Sequence, residues 1–140
     1  DHFINEDSFH DTTKGREEAG RMENLVWSCI SCNRGKSGFL IKPPYDERLN
    51  VDNGNIADVF VRDKDYYIRI SDTYQGDEFI QQFYEKLHLG YEARRLDYLC
   101  LQLDGKYKVE TDEKRRQKLG ECLAKLMKQR NCMTAAGGKL

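Results

Sequence analysis

Asp1, His2, Asn24, Cys29, Cys32 and Asn33 are residue types that do chemistry when they meet. A neutral imidazole takes a proton from water near physiological pH. A neighbouring carboxylate holds a hard divalent cation through oxygen, and an Asn side-chain carbonyl is a second donor of that kind. Asp1 and His2 are adjacent, and adjacent side chains of an extended strand point to opposite faces. Both serve one site only where the backbone bends. Asn24, heading a second strand, is placed to hydrogen-bond across to the backbone around His2 and fix its ring. Cys29 and Cys32 have the Cys-x-x-Cys spacing of half a tetrahedral zinc site. Singly, each residue has an ordinary explanation. An Asn before a strand is commonly a turn residue, and Asn33 could cap a short helix. The joint pattern carries the chemistry.

The elements that must position these residues are a strand at His2, a strand over "NLVWS" at 24–28 and a short helix from "CISCNRGK", ended by Gly35 or Gly38. Residues 3–23 are polar and without a period, which predicts a long loop; such loops are uncommon unless functional or metal-tethered. "IKPPYDERLNVDNGN" at 41–55 also reads as a loop. Alternation on both sides of Asp63-Lys64-Asp65 predicts a hairpin over 57–71. Phe79, Ile80, Phe83, Tyr84 and Leu87 share one helical face, and Leu96, Leu99, Cys100 and Leu103 another, with Gly90 between them. A last helix should start near Thr111-Asp112, with Leu119, Cys122, Leu123, Leu126 and Met127 as its apolar stripe.

"DHFI", a loop, then "NLVWSCISCNRGKSG" resembles the HNH endonuclease family, whose core is the ββα-metal fold. The resemblance covers residues 1–38, and "NRGKS" is also similar to the HNH segment of RNA-guided CRISPR effector nucleases. It implies an HNH core over 1–40; with the periodicities above, the expectation is an α+β chain in which a β-hairpin and a three-helix extension over 41–140 pack on that core. It implies that His2 is the general base, that Asn24 positions it, and that Asp1 and Asn33 ligate Mg²⁺ or Mn²⁺, an H-N-N variant of the motif. Arg34 and Lys36 would lie near the DNA phosphates, and Cys29 and Cys32 would contribute to a structural zinc site. In many HNH proteins the other cysteine pair precedes the Asp-His strand. The resemblance places that pair before Asp1; alternatively Cys29 and Cys32 are unliganded, or borrow His10 or a later cysteine. More loosely, "LHLGYEARRLDYLCLQL" at 87–103 is similar to bacterial anti-phage HNH nucleases of the Septu and retron-associated kind, which implies an ATPase partner protein.

Charge is distributed unevenly. Residues 1–23 are net −4, residues 24–104 net −3 and residues 105–140 net +6. A basic tail on an acidic body allows a polyanion partner, though a solvated helix face gives the same count. No apolar run reaches the roughly 18–20 residues of a membrane span, so the expectation is a soluble protein with no membrane partner. Five cysteines with one pair at motif spacing do not read as a disulfide framework, which points to a cytoplasmic, reducing setting. The leading reading is a DNA-cutting enzyme of antiviral defence. The alternative is a zinc-stabilised nucleic-acid-binding or adaptor module without cleavage activity.

Overall fold

The computed structural model describes residues 2–9, 12–26, 28 and 30–133. Asp1, His10, Trp27 and Cys29 lie outside the described residues, and the reading of each rests on sequence alone. The elements are α1 (Thr13–Ala19), α2 (Ile30–Lys36), α3 (Tyr45–Leu49), α4 (Ile56–Val59), β1 (Phe60–Arg62), β2 (Ile68–Ile70), α5 (Glu78–Lys86), α6 (Glu92–Val109) and α7 (Glu113–Asn131). The chain is thus mixed α and β, and mostly helical. No described helix is long and apolar enough to cross a membrane.

The chain groups into two units. The first comprises residues 1–61 and 70–87; the second comprises 62–69 and 88–140. The division therefore falls elsewhere than at residue 40. Residues 41–61 and α5 share a unit with the N-terminal segment, and the tip of the β1–β2 hairpin belongs with α6 and α7.

The first unit differs from its sequence reading in several places; residues 57–59, read as part of the hairpin, belong to α4, and β1 begins only at Phe60. Residues 3–23 are not one loop, because Thr12 accepts a hydrogen bond from the Gly15 N–H at 3.0 Å and starts α1. This helix buries only Gly15 and Ala19, one turn apart, so it has no apolar stripe to detect. Residues 41–55 contain α3, which Pro44 precedes and whose first turn carries Asp46 and Glu47, charges that favour a helix N-terminus. Finally, the described residues of "NLVWS" form one antiparallel bridge, Leu25 with His2, and Met22–Asn24 is a 3-10 turn.

Phe3, Ala19, Cys32, Phe39, Ile41, Leu49, Val59, Ile80 and Phe83 form the buried interior of the first unit. Phe79 stacks on Tyr45 with centroids 4.1 Å apart and meets Phe39 at 4.7 Å. Asp77 caps α5 by accepting from the N–H groups of Phe79 and Ile80, and also accepts from the Tyr45 hydroxyl at 3.0 Å. The Asp77 hydrogen bond and burial hold the Tyr45 pKa above its ordinary value. Gly35 sits inside α2 and does not end it: a Cβ there would run into the Lys86 carbonyl oxygen of α5. The stop is Gly38, in the left-handed region at φ 73°.

In the second unit, α6 and α7 run antiparallel, joined by residues 110–112. Asp112 caps α7 by accepting from the Arg115 N–H at 2.9 Å. Arg130 near the end of α7 pairs with Asp97 near the start of α6. Tyr107 of α6 lies over Gly120, where a Cβ would come within 3.3 Å of the ring. At the hairpin tip the Arg62 guanidinium stacks 4.0 Å from the Tyr98 ring centre. Arg95 reaches the Asp65 carbonyl at 2.7 Å, and the Tyr67 hydroxyl donates to Glu92. Among the described residues of this unit, only Ala93 and Leu96 are buried apolar residues.

Candidate functional site

The first unit brings the His2 segment against three separate pieces of chain. The Leu25 bridge fixes the register of His2, and the Phe3 N–H donates to the Asn24 carbonyl at 2.7 Å. The Asn24 side chain completes the join. Its Oδ1 accepts from the Ile4 N–H at 2.7 Å, and its Nδ2 donates to the carbonyls of Ile4 at 3.1 Å and Ala19 at 2.8 Å. Asn24 is only 8% exposed. A buried amide with its donors and acceptor satisfied ties α1, the 3-10 turn and the His2 segment into one piece.

From the other side comes α2. Lys36 is 6% exposed, and its ammonium donates to the backbone carbonyl of His2. The sequence reading put Lys36 beside DNA phosphates. Its burial removes it from that surface and makes it a strap between α2 and the His2 backbone. Arg34 is exposed on the same helix. Asn33, at i,i+3 from Lys36, shares a side of α2 with it. It is exposed, and its amide makes no hydrogen bond to a described residue.

Burial lowers the Lys36 pKa from its ordinary 10.5 to about 8. Below pH 8 folded and unfolded chains both carry the proton. Between about pH 8 and 10.5 only the unfolded chain does, so this residue makes stability rise with pH across that window. The full rise is about 3 kcal/mol. Denaturant unfolding of wild type and Lys36→Met at pH 7.5 and 10 isolates the contribution, since other groups cancel in the comparison. Wild type should gain on the variant at the higher pH; a constant difference would contradict the burial argument.

The His2 ring is half-buried, and its Nδ1 lies 3.0 Å from Glu6 Oε1. That leaves Nε2 with no hydrogen-bond partner among the described residues. Sequence reasoning missed Glu6. Its signal was the i,i+4 spacing from His2 inside a segment read as loop. His2 and Glu6 line an open groove of about 660 Å³ together with Asp7, Phe9, Gly15, Arg16, Ala19 and Gly20. The groove mixes polar and apolar walls and carries both signs of charge.

Among the described residues no three His, Cys, Asp or Glu side chains gather as a metal-holding cluster. Asp1 and Cys29 fall outside that search. Of the two oxygen donors that the sequence reading offered to a hard cation, Asn33 alone is described, and its amide oxygen is engaged by no described residue. Cys32 is buried in the first unit; Cys100 is partly exposed, and Cys122 and Cys132 are exposed, all in the second. No protein-family model, curated protein or solved structure matches the chain.

Proposed function

We propose that the chain is a metal-dependent endonuclease of the HNH type that hydrolyses DNA phosphodiester bonds in the cytoplasm. The observation supporting this reading is the Asn24 amide, whose three hydrogen bonds hold the His2 segment rigid beside the helix that carries Asn33. A binding module has no need of a buried amide immobilising a half-exposed imidazole. His2 takes a proton from the attacking water at Nε2, and Glu6 at Nδ1 orients the ring and balances the charge the imidazole gains. Lys36 keeps the His2 backbone from shifting against α2. A divalent cation held by Asp1 and Asn33 would supply charge stabilisation at the scissile phosphate and the departing 3′ oxygen. Supercoiled plasmid incubated with Mg²⁺ or Mn²⁺ should be nicked, leaving 5′-phosphate and 3′-hydroxyl ends, and a chelator should stop it. An intact plasmid in both metals would rule the reading out.

A further inference from the structure

Helix α7 carries two opposite stripes. At about 100° per residue, Leu119, Leu123 and Leu126 fall on one side, each partly buried. Lys114, Lys118, Lys125 and Lys128 fall on the other side within about 80° of each other, with Glu121 among them. All four lysines are exposed, and none has an ion-pair partner among the described residues. Of the other bases of the helix, Arg130 is paired with Asp97 and Arg116 lies against the Tyr107 ring, while Arg115 is exposed and stands outside the row. Glu121 is itself engaged by Gln117 at 3.1 Å.

We propose that this lysine row is a docking surface for the phosphate backbone of a DNA duplex, separate from the residues of the proposed cleavage site. Three observations favour a phosphate lattice over plain solvation. The row runs about 21 Å along the helix at 1.5 Å per residue, which spans several consecutive phosphates of one strand. The positive charge is concentrated: the last 36 residues are net +6 in a chain whose net charge is −1. And the composition is mostly Lys with no aromatic side chain in the row, which fits point-charge contact with a backbone rather than reading or stacking of bases. A membrane-surface helix would bury its apolar stripe in lipid; here Leu119, Leu123 and Leu126 are already partly buried, in a helix that packs on α6.

The choice of DNA rests on the nuclease reading, but the test does not require cleavage. Binding of a short DNA duplex is measured in chelator, over a series of salt concentrations, for the full chain and for a variant with all four lysines changed to Gln. Four lost phosphate contacts at about 0.9 counterions each should make the log–log salt slope shallower by about 3–4. A second variant with the four changed to Arg should keep both slope and affinity. Far-UV circular dichroism of both variants should match wild type, since all four side chains are exposed. An unchanged slope in the Gln variant would overturn the proposal. So would the reverse selectivity, in which that variant binds DNA as before but releases from vesicles rich in phosphatidylserine. A chain that binds DNA through this row yet never nicks plasmid would sink the nuclease reading and leave this one standing.

Discussion

Asn24→Ala should destabilise the first unit by about 3 kcal/mol or more. The substitution removes three hydrogen bonds and strands the groups that made them. The Ile4 N–H loses its acceptor, and the carbonyls of Ile4 and Ala19 lose their donors. Each buried group left unsatisfied costs about 1–3 kcal/mol, which puts this change in the range reserved for broken buried networks. Asn24→Asp is the informative companion. It keeps the acceptor for Ile4 but replaces both donors with an oxygen facing two carbonyls, so it should be no better than Ala at neutral pH. Denaturant unfolding followed by Trp27 fluorescence reads both. A loss below about 0.5 kcal/mol, the range of an ordinary surface change, would mean that the amide does not hold the segment.

His2→Ala should act on rate and not on stability. The ring is half-exposed, and the backbone around it is held by Asn24, Leu25 and Lys36 without help from the imidazole. Loss of a general base costs about 10²–10⁴-fold in rate, while the unfolding midpoint should stay close to that of wild type. Glu6 sits one step back. Glu6→Ala should slow the reaction by less than His2→Ala, and Glu6→Gln should recover much of the loss, because its carbonyl oxygen still accepts from Nδ1. A structural role alone would not separate Gln from Ala in this way.

Periodicity made the C-terminal half of the chain readable. The alternation flanking Asp63-Lys64-Asp65 and the helical faces of α5, α6 and α7 are long enough to register, although residues 57–59 turn out helical, and Asp77 and Asp112 stand at helix starts as capping chemistry requires. The N-terminal half was harder for reasons that particular residues explain. Helix α1 packs through Gly15 and Ala19, and small residues leave no hydrophobic period. Two prolines before Tyr45 read as a loop, although Pro followed by acids is also how a helix begins. Gly35 read as a stop because nothing in the sequence says that the α5 backbone passes close to it.

The candidate site was legible in its residue types and less so in its contacts. The spacing marked His2 and Asn24, and the structure supplies the partners: Ile4 and Ala19 for the amide, Glu6 for the imidazole. Lys36 went astray because a lysine after Asn-Arg-Gly reads as solvent-facing, and only the tertiary fold reveals that its ammonium turns inward to a carbonyl. Neither the lysine row on α7 nor its separation from the leucine stripe follows from net charge alone. Both follow once the helix boundaries are fixed at Glu113 and Asn131.

The central claim is that the imidazole of His2 activates water for attack on a phosphodiester. Single-turnover cleavage of supercoiled plasmid in Mg²⁺, run side by side for wild type and a His2→Ala protein of matched unfolding midpoint, tests it most directly. The account predicts nicked circles from wild type and a rate at least about a hundredfold lower from the variant. Equal rates from the two proteins would contradict it.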